Sequence, residues 1–214
     1  MISSDLLIFG AGGHAKTVMD LAHLCGWHID AFVDRVPTTK SFMGIPVVAE
    51  TEIEGGEISA AIAIGDNYLR SQVAKRLVER IPSVQFPSLV HPSAIVSASA
   101  QVGPGTSVHV GAYLGPSVRT GRFCLVNSLV SIEHDSRVED FVSLGPQATL
   151  AGGSVVGTFS HVGMNSAVAQ GVTIGPDVVI GASSYVRENI SPECTAFGAP
   201  AKHRRRRERG EPYL

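Results

Sequence analysis

The chain has 214 residues, 44% hydrophobic and 17% charged, which is enough apolar material for a buried core and enough length for two small domains. Its 17 basic and 19 acidic residues leave a net charge of −2, so composition offers no electrostatic footprint for nucleic acid. No apolar run approaches the roughly eighteen residues of a membrane span, no secretory leader opens the chain, and Cys25, Cys124 and Cys194 are too scattered for a disulfide framework; membrane insertion is not expected and a reducing cytoplasm is.

In chain order, an apolar strand over residues 6–9 runs into Gly10-Ala11-Gly12-Gly13-His14-Ala15, and Val18, Leu21, Ala22 and Cys25 form a helical stripe stopped by Gly26. Strand, glycine turn and helix open a nucleotide-binding βαβ unit, with Asp34, at the end of a second strand over 29–33, spaced to meet a ribose hydroxyl. A tight strand-to-helix turn alone would also use these glycines. A third strand over 60–64 ends at Gly65-Asp66-Asn67, a helix carries Leu69, Val73, Leu77 and Val78, and residues 84–86 read as a fourth strand. This segment supplies one mononucleotide half and little more, so a mononucleotide or nucleotide-sugar fits better than a dinucleotide.

From position 96 to 186 an aliphatic residue recurs every sixth place, with only Thr120 out of type. Four places after each comes a small or β-branched residue, and the place directly after is often glycine, which reads as a glycine-tolerant corner. Asn127 occupies that corner place, which asparagine tolerates at positive φ. This is the hexapeptide repeat of a parallel β-helix: three short strands make one triangular coil, and residues eighteen apart stack about 4.8 Å from each other.

Stacking guides the search for a site. His109, His134 and His161 are separated by 25 and 27 residues, neither a multiple of eighteen, so they do not form a metal-binding column, and no metal is expected. His134 lies two places after an inward aliphatic, at a corner, and its ordinary pKa suits proton transfer near neutrality. Gly152 follows one coil later, where a free N–H could meet a developing oxyanion. Glu133 and Asp135 flank the histidine, and either could orient it only where the chain bends. Taken alone, a surface histidine on a prism remains open. The basic run from Lys202 to Arg209 reads as a solvated or disordered end.

The motifs I-F-G-A-G-G-H-A, A-I-G-D-N-Y-L-R, N-S-L-V-S-I-E-H-D, the hexapeptide array and F-G-A-P-A-K together resemble the bacterial sugar-nucleotide acetyltransferases related to the sialic acid O-acetyltransferases. The resemblance implies an α/β Rossmann-like half domain over 1–90 followed by an all-β left-handed parallel β-helix over 91–214. It implies a homotrimer with acetyl-CoA bound between neighbouring helices, and direct transfer to the amino group of a nucleotide-linked amino-deoxysugar. His134 would be the general base, Asp135 its support, Gly152 the donor to the thioester oxygen, and Asn127 a residue near the sugar. Gly10, Gly12, Gly13, His14, Asp34, Arg35, Gly65 and Asn67 would hold the nucleotide, and Ser143, Gly152, His161 and Lys202 would touch acetyl-CoA. Two places depart from the family pattern: Ser143 stands where a second histidine is common, with His161 one coil later, and Arg35 follows Asp34 where a second acid is common. Sialic acid O-acetylation, a γ-carbonic-anhydrase-like zinc enzyme and a non-catalytic trimeric scaffold are the alternatives.

Overall fold

A computed structural model describes residues 5–54 and 56–213. The first part is a five-stranded sheet built from β1 (Asp5–Phe9), β2 (His28–Asp34), β3 (Ser41–Phe42), β4 (Ile45–Ala49) and β5 (Ser59–Ile62), in the order β3-β4-β2-β1-β5. All pairs are parallel except β3 with β4. Alternation along β1 decides what covers each face: Leu6 and Ile8 pack with Val18, Leu21 and Ala22 of α1 (Gly13–Leu24), while Leu7 and Phe9 pack with Val73, Ala74 and Leu77 of α2 (Asn67–Arg80). The expected strand at 84–86 shrinks to an isolated bridge between Gln85 and Ser59. The β3–β4 pair, not expected from sequence, is short and carries Pro46, which hides it from an alternation test.

The first coil of the prism opens with Leu89–Val90, which pairs with Ser107–Val108. Each face is a ladder of two-residue strands eighteen residues apart: the first face carries Leu89–Val90, Ser107–Val108 and Ser143↔His161, and the second carries Ser131↔Thr149. Val108, Leu114, Val126, Ile132, Leu144, Leu150, Val156, Val162, Ile174, Ile180 and Val186 are fully buried, a single apolar column. Thr120, the residue out of type, is buried as well, and its hydroxyl accepts from the Gly103 N–H at 3.2 Å.

Two readings of the repeat are corrected. The left-handed residue of each corner stands three places after the aliphatic, not one: Ser117, Leu129, Asp135, Gln147 and Asn165 all have φ between 56° and 62°. Glycine directly after the aliphatic serves close approach between coils, since a Cβ on Gly145 or Gly163 would stand 2.6 Å from the backbone nitrogen of Met164 or Ala182. Asn127 is accordingly not left-handed, and its Nδ2 donates to the Leu144 carbonyl at 2.6 Å.

The basic tail is ordered rather than disordered, although residues 202–206 remain exposed along their strand. Cys194–Gly198 and Ala201–Arg206 pair antiparallel on the first face, Arg209 holds the buried Asp177 carboxylate at 2.7 Å, and Arg207 is buried. The chain then crosses back so that the Tyr213 ring packs on His161 with centroids 4.8 Å apart, and its hydroxyl accepts from the Asn67 N–H at 3.2 Å. Among the described residues no helix is long and apolar enough to cross a membrane.

Candidate active site

His134 follows the second-face strand Ser131–Ile132, with its backbone held by the coils on both sides. Its carbonyl accepts from the Gly153 N–H at 2.8 Å, and the next residue's N–H reaches Pro116 O at 2.9 Å. Asp135 adopts φ 60°, and that left-handed bend turns its carboxylate back so that Oδ2 lies 2.8 Å from His134 Nδ1. Glu133 is engaged elsewhere, accepting from Ser131 Oγ at 2.8 Å. A carboxylate can only accept, so the pairing places the imidazole proton on Nδ1 and leaves the Nε2 lone pair free. Nε2 faces Gly152: a Cβ there would stand 2.6 Å away. Among the described residues no acceptor engages the Gly152 N–H. The histidine ring is more than half exposed, so the site opens to whatever approaches the corner.

The glycine turn lies at the C-terminal end of β1. Gly10 has φ 109°, and a Cβ on it would come 3.0 Å from the Ala63 carbonyl. Gly12, the N-cap of α1, has φ −93°, and added Cβ atoms on Gly12 or Gly13 would meet open space. Free N–H groups at a helix start with nothing above them make an anion cradle. Asp34 closes β2 and accepts from the Val36 N–H at 3.0 Å, with Arg35 exposed beside it.

Asn67 and Gly65 are not brought to that cradle. The Asn67 side chain is buried, donating to Phe159 O and Ser160 O at 3.0 Å each, and the Gly65 carbonyl accepts from Arg70 at 2.9 Å. Arg70 is the feature that sequence reasoning missed. Only 1% exposed, it donates to Ile64 O, Gly65 O and Asn67 Oδ1 of its own domain and to Phe123 O, Phe141 O and Ser143 Oγ of the prism. Burial holds its pKa down to about 10, still a full charge at neutrality, and its acceptors among the described residues are carbonyls, an amide oxygen and a hydroxyl rather than a carboxylate. Ser143, expected at acetyl-CoA, lies in this network and donates to Asn67 Oδ1 at 2.6 Å. His161 is covered by Tyr213, and Lys202 is exposed opposite Phe197 on the tail strand. Cys124 is fully buried with its thiol pushed up to about 12 by burial, which removes it as a nucleophile.

The architecture superposes on known structures along nearly its whole length. The perosamine N-acetyltransferase from Caulobacter crescentus, a histidine mutant solved with CoA and GDP-perosamine, is 32% identical, with 94% of this chain and 96% of that one covered at a TM-score of 0.85. The acetyltransferase domain of PglB from Neisseria gonorrhoeae FA1090, solved with acetyl coenzyme A, is 30% identical over 94% and 99% of the two chains at a TM-score of 0.88. An α/β domain joined to a left-handed parallel β-helix of hexapeptide repeats defines the class as a hexapeptide-repeat acyltransferase. Residues 5–77 match the PglD N-terminal domain. The UDP-N-acetylbacillosamine N-acetyltransferase of Bacillus subtilis (strain 168) is 36% identical over 111 residues, 49% of this chain, and the chain spans only half of that relative's length in the match. The chain belongs to the PglD-like family of sugar-nucleotide N-acetyltransferases.

Proposed function

We propose that this protein transfers the acetyl group of acetyl-CoA to the amino group of a nucleotide-linked amino-deoxysugar, with His134 as general base. The observation that carries the reading is the His134–Asp135–Gly152 arrangement: a carboxylate on Nδ1, a free lone pair on Nε2, and an unengaged N–H one coil away. The amine attacks the thioester carbonyl, a C–N bond forms and the C–S bond breaks. His134 takes the amine's proton, and that proton leaves with the thiolate. The Gly152 N–H steadies the charge that develops on the carbonyl oxygen.

The nucleotide is assigned to the first domain, its phosphates over Gly12 and Gly13 and its ribose at Asp34. A nucleotide held there lies against the first face of the prism, whereas His134 follows a second-face strand. The reading therefore includes a homotrimer in which the sugar held by one chain reaches His134 of its neighbour, with acetyl-CoA between them, in the cytoplasm where CoA thioesters are made. Replacing His134 with alanine tests the base. kcat with GDP-perosamine or UDP-N-acetylbacillosamine as trial acceptors should fall by about 10²–10⁴-fold, with acceptor binding by titration almost unchanged. A loss below tenfold would remove His134 from the chemistry.

A further inference from the structure

In the seam between the start of α1 and the first face, His14 Nε2, Ser107 Oγ and His109 Nε2 are buried without a hydrogen-bond partner. His109 is 4% exposed and Ser107 6%. Buried polar atoms are rarely left unpaired, because each has given up water for nothing. Three from one seam, beside the open N–H groups of Gly12 and Gly13, describe a set of donors and acceptors awaiting one partner.

The positions explain how the set is assembled. Ser107 and His109 flank the inward Val108, so they share the outward side of one strand. His14 is in the first turn of α1, and the two imidazoles stand 6.4 Å apart between centroids, tilted by 53°. The His109 N–H donates to Val126 O at 2.9 Å, which stacks His109 directly before Asn127 in the column of corner residues. His109 does not belong to the His134 site, and the repeat alone gives no reason for a histidine at that place.

We propose that His109, with Ser107 beside it, is a specificity-determining contact for the sugar of the acceptor, receiving a sugar hydroxyl between itself and His14. The proposal rests on the acceptor being a nucleotide-linked sugar. Its chemistry is that of neutral groups. Burial drives both imidazoles down to about 4, so at neutral pH each offers one N–H and one lone pair, suited to a hydroxyl and not to an anion. Phosphate is left to the glycine turn, and the two subsites divide the ligand between them. His14 is partly exposed at the helix start, so its side chain can turn towards a ligand without moving backbone.

The test compares His109→Met, His109→Gln and Ser107→Ala with the unaltered protein, using GDP-perosamine and UDP-N-acetylbacillosamine as probes and GDP and UDP as controls. His109→Met should raise KM for the acceptor by about ten- to a hundredfold with KM for acetyl-CoA unchanged. Loss of a partner for a bound hydroxyl is penalised in binding the acceptor alone. His109→Gln, which keeps a donor and an acceptor, should recover most of that loss, and Ser107→Ala should show a smaller loss. Affinity for GDP or UDP alone should not change in any variant. Should His109→Met fail to fold, ¹⁵N shifts of the histidine rings in the unaltered protein decide: His109 should respond to the sugar nucleotide and not to the nucleoside diphosphate, whereas His14, beside the glycine turn, should respond to both. An unchanged acceptor KM in a folded variant, an equal response of His109 to the nucleoside diphosphate, or parallel loss for both substrates would overturn the assignment. Turnover of neither sugar nucleotide by the unaltered protein, with no binding of either, would instead remove the acceptor reading and this inference with it.

Discussion

The His134 imidazole is constrained at both ends, by the Asp135 carboxylate on Nδ1 and by the Gly152 backbone against Nε2. Only a residue without Cβ lets the coil pass so close, and the histidine side chain, more than half exposed, is the partner that would yield. Gly152→Ala should therefore push the ring off its position while leaving the fold intact: kcat should drop by about 10²-fold or more, with thermal midpoint shifted by less than about 2 °C. Retained activity would mean that Nε2 works from some other ring position. The candidate pair was readable from spacing, since Gly152 is eighteen residues past His134. The choice between Glu133 and Asp135 was not, because it depends on a left-handed φ at 135. The equivalent corner place elsewhere holds Ser117, Phe123, Leu129, Gln147 or Asn165, so side-chain type gives no signal for the bend.

Between elements, the seam joining α1 and α2 to the first face combines an apolar strip, in which Phe123 joins Val73, Ala74 and Leu77 of α2 and stacks on Phe141, with a set of buried polar groups. Arg70 bonds three acceptors on each side, Asn67 reaches two carbonyls of the prism, and the tail brings Tyr213 onto His161. The apolar period revealed the prism and α1 because burial writes itself into hydropathy, but in α2 only Val73 and Leu77 of the expected stripe are buried, while Leu69 and Val78 are exposed and Asn67, Arg70 and Ser71 share the buried face. The polar half of the seam left no such mark in the hydropathy: Asn67 and Arg70 stand in the motif A-I-G-D-N-Y-L-R, where nothing indicates that Arg70 is buried. The seam also carries a pH dependence. His14, His109 and His161 are each driven down to about 4, chiefly by burial and also by the nearby charge of Arg70 for His14 and His161. In the unfolded chain they bind protons near 6.5, so below that pH the unfolded state takes up protons that the folded state refuses. Stability should be full above about pH 6.5 and fall progressively as the pH approaches 4. Urea midpoints measured from pH 7.5 to 4.5 check this, and His161→Gln should give a shallower decline. A flat profile through that window would mean that these rings are not held neutral.

On the scale of the whole molecule, the proposed nucleotide cradle and the proposed base belong to different sides of one chain. The first domain packs on the face built from Ser107–Val108 and Ser143–Leu144, through His14, Asn67 and Arg70, while His134 follows Ser131–Ile132 on the next face. The proposed three-fold ring would bring one chain's first face towards a neighbour's corner, which a single prism cannot do for itself. Sedimentation should then give about three times the 22.5 kDa of one chain. Complementation gives the sharper measurement. Gly12→Val leaves room for its side chain in the fold but puts a branch where the phosphate must lie, and His134→Ala removes the base. Each homotrimer should be close to inactive, the first through lost acceptor binding with acetyl-CoA affinity unchanged, the second through lost kcat. In trimers assembled from equal amounts of the two chains, a site made of an intact cradle from one and an intact His134 from the other should form by chance, restoring about a quarter of full activity. If cradle and base served the same site within one chain, every site would keep one lesion and mixing would restore nothing.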